Sequence, residues 1–202
     1  MKLLVVTGIF PPDSGGPATF VPRLVRGLRA RGVQSAVVTF SDVAADPVDR
    51  DLDVTRIPRR DRLARLSALI RALGRKGSDA DVWLVQGLMY VTAMAARRMR
   101  RPYVAKIVGD GAWETAVNRG WTRATLDAYQ AARGWREKLL RHWIAEPLRH
   151  AEAVIVPSRY LARIVEGWGV PAGRIRVIYN ATDPSTGAEE RSVRDPNHLV
   201  TV

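Results

Sequence analysis

The stretch Gly8–Phe20, GIFPPDSGGPATF, stands between a short aliphatic run and a helical pattern. Pro11, Pro12, Asp13 and the pair Gly15-Gly16 fill the connection. The run before it, Lys2–Thr7, suits a strand covered on both faces. After it, Val21, Leu24, Val25 and Leu28 recur at helical spacing within Ala18–Arg31, and Gly32 stops the pattern. Pro22 fits such a helix in its first turn, where a missing N–H costs little. The loop therefore lies at the carboxyl end of a strand. Gly15 and Gly16 allow positive φ and let main-chain amides face a ligand without a Cβ in the way. The helix behind them offers free N–H groups and a positive dipole end. Together they predict an anion site suited to a phosphate or diphosphate, with the prolines stiffening the approach. The alternative is an ordinary strand-to-helix loop built from turn residues.

The alternation continues along the chain. Strands are predicted at Gln34–Phe40, Val54–Ile57, Val82–Gln86, Tyr103–Val108, Ala153–Pro157 and Ile175–Tyr179. Helices are predicted at Asp61–Arg75, Met89–Met99 and Tyr160–Trp168, with a less regular helical stretch over Trp113–His150 broken near Gly120 and Gly134. Leu63, Leu66, Leu69, Ile70 and Leu73 read as one apolar face of the second helix. This order implies right-handed crossovers and a parallel sheet: an α/β, Rossmann-like, doubly wound fold that binds ligands at the carboxyl ends of its strands. Residues 1–182 read as one such domain. Asp183–Asn197 reads as a linker and His198–Val202 as the start of a further strand, so 183–202 opens a second unit.

Composition limits the function. The chain has 202 residues, 47% of them hydrophobic, and no cysteine, which excludes disulfide scaffolds and thiolate metal sites. Lys+Arg 32 against Asp+Glu 20 gives a net charge of +12, which favours an anionic partner. His142, His150 and His198 are scattered, so no metal is expected. No run reaches the length of a membrane span, and the N-terminus is a poor signal peptide; a cytoplasmic protein is expected. The dinucleotide fingerprint G-x-G-x-x-G is absent, and so is the Gly-Lys-Ser/Thr of a P-loop. Asp42 after the second strand is weak evidence for a ribose contact. Ser158 after Pro157 suits a helix cap and lacks the nucleophile elbow of a hydrolase.

Two segments, FPPDSGGPATFVPRLVRGLRARG and AEAVIVPSRYLARIVEGWGVPAGRIRVIYNATD, resemble the opening and the end of the N-terminal domain of GT-B glycosyltransferases, in particular the family-4-like retaining enzymes. The resemblance spans nearly the whole chain. It implies two Rossmann-like lobes facing a cleft, the N-terminal one binding the acceptor and a C-terminal one holding most of a nucleotide sugar. It gives Gly15 and Gly16 the donor diphosphate; Asn180, after the last strand, falls near the hinge, with an ordinary turn residue as the equal alternative. It implies a nucleotide-sugar donor as co-substrate, no other cofactor, and a glycan or lipid-linked acceptor. Gly109 stands where the family often has His before Asp110, and Asn180-Ala181-Thr182-Asp183 replaces the usual Asn-Gly-Val-Asp. The C-terminal GT-B domain is missing from the sequence, so the chain alone is expected to be inactive.

The segment VGDGAWE ends the predicted strand Tyr103–Val108 at the presumed cleft. Asp110 and Glu114 are candidates to accept hydrogen bonds from acceptor hydroxyls, Trp113 to stack on a sugar face, and Lys106 to face the same cleft. A retaining transfer needs no protein base, so Asp110 is assigned positioning rather than proton transfer. The alternative is a polar turn with a packing tryptophan. The helix around RGWREKLLRHW is amphipathic and basic; with Arg97–Arg101 and the Arg59–Lys76 helix it suits an anionic membrane surface. Its alternative is core packing with a solvated basic face. A non-catalytic basic module binding nucleic acid or membrane is the competing reading of the chain, but no recognition helix or stacking sheet is evident and no nucleic acid is expected.

Overall fold

The structure, a computed structural model, describes residues 1–59, 61–132 and 134–180. Seven strands form one sheet in which every pairing is parallel: β1 (Lys2–Thr7), β2 (Gln34–Ser41), β3 (Asp53–Pro58), β4 (Val82–Gln86), β5 (Tyr103–Lys106), β6 (Ala153–Val156) and β7 (Ile175–Val177). Their order is β3-β2-β1-β4-β5-β6-β7. The chain winds outward from β1 to β3, returns to β4 and winds the other way. The topological switch point thus falls between β1 and β4, where Thr7 pairs with Gln86, and the crevice of such a sheet opens there.

Helices cover the two faces unequally. On one face α1 (Gly16–Arg29) sets Val21 and Val25 against Leu3, Val5 and Val37. On the other lie α2 (Arg62–Gly77), α3 (Met89–Arg98), α6 (Trp135–Arg149) and α7 (Arg159–Gly167), packed over Leu4, Val6, Trp83, Tyr103 and Val154. Alternate residues of β1 go to opposite cores, as the two-residue period of a strand requires. Each fully buried aliphatic side chain contributes about 2 kcal/mol to this packing.

Several local expectations are corrected. Helix α1 begins at Gly16, so Pro22 lies inside it, buried against the sheet, with no N–H to give to the carbonyl of Ala18. Strand β5 ends at Lys106, because Asp110 caps a helix immediately after it, α4 (Gly111–Asn118). The stretch Trp113–His150 resolves into α4, α5 (Leu126–Ala131) and α6; Gly120 follows α4 and Gly134 precedes α6. In α2 only Leu69 and Leu73 of the apolar set are buried, whereas Leu63, Leu66 and Ile70 are exposed. Strand β7 ends at Val177 rather than at Tyr179. The linker and second unit read at 183–202, with Ala181, Thr182 and Asp183, lie outside the described residues.

Candidate functional site

The loop between β1 and α1 is held from outside. Arg59, just beyond β3, donates to both carboxylate oxygens of Asp13, to Asp42 at 2.9 Å, and to the carbonyls of Gly8 and Phe40. The pair holds the Asp13 carboxyl below its usual range. Arg56, in β3, donates at 2.7 Å to the Pro11 carbonyl and forks onto both oxygens of Asp49 at 2.8 Å. Its guanidinium also lies over the Phe10 ring. The peptide bond between Pro11 and Pro12 is cis. Neither arginine was singled out in the sequence: they reach back 45 and 46 residues to the loop, and a long-range contact of that kind leaves no local pattern.

The clamps leave the inner side of the loop free. Gly15 caps α1 with φ +139°, a conformation that suits glycine. No side chain caps this helix, so the first-turn amides are left to other partners. Gly16 has open space where a Cβ would stand. It lines a cavity of about 560 Å³ with Pro17, Phe20, Gln86, Lys106 and Asn180. A second cavity, of about 420 Å³, adjoins it through Pro17, Gln86, Lys106 and Val108 and extends along Gly109, Glu114, Tyr90 and Trp143. Both sit at the switch point.

Lys106 is at the centre. It is 3% exposed at the end of β5, with its Nζ 4.3 Å from the centroid of the Phe20 ring and donating to Asn180 Oδ1 at 3.2 Å. Burial pulls its pKa below the usual lysine value. A cation with one side-chain acceptor and an aromatic face has capacity left for an anion. Gln86, 5% exposed, has a buried Oε1 without a hydrogen-bond donor and lines both cavities. Sequence reading passed over it; a polar residue closing an otherwise apolar buried strand was the available signal.

The four acceptor candidates divide. Lys106 and Glu114 line the cleft. Asp110 and Trp113 belong to the scaffold behind it. The Asp110 carboxylate is 2% exposed, accepts from the amides of Ala112 and Trp113 at 2.9 and 3.1 Å, and takes a further bond from Gln130. Burial raises its pKa. The Trp113 indole donates to the Ala124 carbonyl at 3.0 Å and packs beside Ala112 and Tyr129. Glu114, one turn into α4, takes the space a side chain at 109 would need: a Cβ there would stand 2.2 Å from Glu114 Oε1. The carboxylate thus fills the position that the glycine leaves open. Asn180 follows β7 and meets Lys106. Among the described residues, no group of His, Asp and Glu is arranged to hold a metal, and no helix is long and apolar enough to cross a membrane.

Comparisons with known proteins were made on this geometry. Residues 15–181 match the model of the glycosyl transferase 4-like domain. Anabaena Alr3699/HepE, solved in complex with UDP, superposes with a TM-score of 0.63 at 20% identity, covering 92% of this chain and 47% of that one. The lipopolysaccharide outer core galactosyltransferase WaaB gives 0.60 at 11% identity, covering 90% and 46%. The UDP-GlcNAc 2-epimerase from Methanocaldococcus jannaschii gives 0.56 at 13% identity, covering 88% and 45%. No curated protein sequence matches. At these identities the structural likenesses speak for the fold alone, and the chain spans about half the length of each solved relative. The family match covers most of the sequence, and the chain belongs to the glycosyl transferase 4-like domain family.

Proposed function

We propose that this domain is the N-terminal, acceptor-binding lobe of a retaining glycosyltransferase that takes its sugar from a nucleotide-sugar donor. The observation that carries the reading is that Gly16, at the start of α1, and Lys106, at the end of β5, line one cavity at the switch point. As the glycosidic bond to the donor breaks, negative charge gathers on the leaving diphosphate. First-turn amides at Gly16 are placed to accept that charge without reorganising. Burial disfavours the cationic form of Lys106, and an anion beside it favours that form. UDP or UDP-sugar binding by the HepE relative and membership of the family support this chemistry.

Glu114 and Gln86 supply acceptor oxygens for hydroxyl groups of a glycan or lipid-linked acceptor. Asp110 acts as a positioning residue: it fixes the start of α4 and so the place of Glu114. Asn180 sits at the passage to the donor lobe, and without that lobe turnover is not expected. No metal is assigned a role. A cytoplasmic enzyme held on an anionic membrane surface fits the basic helices.

The test uses the protein that carries this domain together with its donor lobe. Release of nucleoside diphosphate from a panel of nucleotide sugars is followed with Gly15→Val and Gly16→Val. Turnover should fall by about a hundredfold if the amides hold the leaving group. Unchanged turnover in both variants would remove the donor role of the loop.

A further inference from the structure

The geometry points to the outer face of α2, α3 and α6 as the surface by which this protein lies on an anionic lipid bilayer. These helices run side by side over one face of the sheet. Each carries large apolar side chains turned to solvent. Leu63 is 75% exposed and Ile70 52% on α2, Met94 is 58% exposed on α3, and Trp135 is 70% exposed on α6. Tyr90 and Trp143 join α3 to α6, with ring centroids 5.4 Å apart, and both remain exposed. Scattered single exposures are ordinary on any protein, but several large ones on each of three neighbouring helices, with Tyr90 and Trp143 in contact across two of them, mark an interaction surface.

Charge selects the partner. The three helices together carry eleven Arg and Lys against two Glu, and α2 and α3 carry no acid at all. A second copy of the same face would meet like charge. A bilayer of anionic headgroups would meet opposite charge, with tryptophans at headgroup depth and leucine, isoleucine and methionine below it. Leu63 on α2, Tyr90 on α3 and Trp135 and Leu139 on α6 fall in the N-terminal halves of their helices, toward the carboxyl edge of the sheet where the cleft opens. Tyr90 and Trp143 also line the 420 Å³ cavity. The bilayer would therefore meet the mouth of the site and deliver an acceptor that carries a lipid. That last step rests on the sugar-transfer reading; the attachment itself does not.

The 202-residue chain is sedimented with vesicles of phosphatidylcholine alone and of phosphatidylcholine with phosphatidylglycerol. Binding is expected to the second only, and to weaken with salt. Trp135→Ser with Leu139→Ser should lower the partition coefficient by at least about tenfold. Leu63→Ser with Ile70→Ser, at sites with little packing to lose, should do the same. Arg62→Glu with Arg71→Glu should cost more than about fivefold for each residue reversed. Arg26→Glu, on the opposite side of the sheet, should change binding far less. Failure to sediment with anionic vesicles, equal binding by the band variants, or a dimer that these substitutions dissolve would each overturn the proposal. If vesicles are bound while Gly16→Val leaves sugar transfer intact, the surface stands and the donor loop falls.

Discussion

Two loops meet at the switch point, and they treat their polar groups in opposite ways. After β1, a hydrogen bond from Arg56 to the Pro11 carbonyl and the ion pair of Arg59 with Asp13 hold the outer side of Gly8–Gly15, and Gly16 lines the cavity. After β5, the polar groups turn inward: Asp110 and Trp113 spend their hydrogen bonds on α4, Gln130 and Ala124, and only Glu114 reaches the cleft. The first loop is braced so that its main chain stays available. The second uses its side chains as the brace. Residues that look equally functional in sequence therefore differ in what their loss would do.

The contrast is sharpest at Arg56, whose side chain is 4% exposed. Arg56→Met removes the guanidinium from Asp49, Ser41 and the Pro11 carbonyl and is expected to cost about 3 kcal/mol in denaturant unfolding. Transfer by the two-lobed enzyme should fall as well, since the loop loses its support. Gly16→Val tests the opposite side of the same loop. Its Cβ enters open space, so stability should move by less than about 0.5 kcal/mol while turnover falls. A large loss of stability there would contradict the picture of a free inner surface.

Asp110→Ala should destabilise by about 2 kcal/mol, through the lost cap and the lost hydrogen bond from Gln130. Asp110→Asn should cost less, because it keeps an acceptor for α4. The pH dependence has a defined sign. The folded carboxyl has a raised pKa, so above 3.8 the folded state holds a proton that the unfolded state has lost. Stability contributed by this group falls as pH rises through that window. The Asn variant should lose that slope in unfolding measured from acid to neutral pH.

Lys106→Met should have a smaller effect on folding, since it removes a buried cation along with its bond to Asn180. The lowered lysine pKa means that the unfolded state binds more protons as pH approaches 10.5 from below. Stability from this residue therefore rises with pH there, and the Met variant should flatten that rise. Nucleotide-sugar turnover should drop in the same variant. Trp113→Phe keeps the packing and loses one hydrogen bond to Ala124. A cost of about 1 kcal/mol with unchanged acceptor KM is expected; a raised KM would return Trp113 to the sugar face.

The parallel sheet was legible because each strand is a short aliphatic run followed by a helical period, as with Lys2–Thr7 and Val82–Gln86. The Gly-Gly loop was legible because turn residues cluster there. The start of α4 was not, although Asp110 followed by Gly-Ala-Trp-Glu-Thr-Ala offered a cap and a helix-forming run before Trp113. The exposure of Leu63 and Ile70 was hidden too, since helical spacing shows that residues share a side without showing which side is covered. Arg56, Arg59 and Gln86 depend on tertiary contacts, and composition along one strand carries no record of them.

The most direct measurement follows the backbone amides of Gly15, Gly16 and Ala18 by NMR while a nucleotide sugar is titrated into the two-lobed protein. These amides should shift in proportion to donor saturation, while those of Gly32 and Gly120, remote from the cleft, stay in place. Donor binding that leaves the three loop amides unmoved would contradict the account.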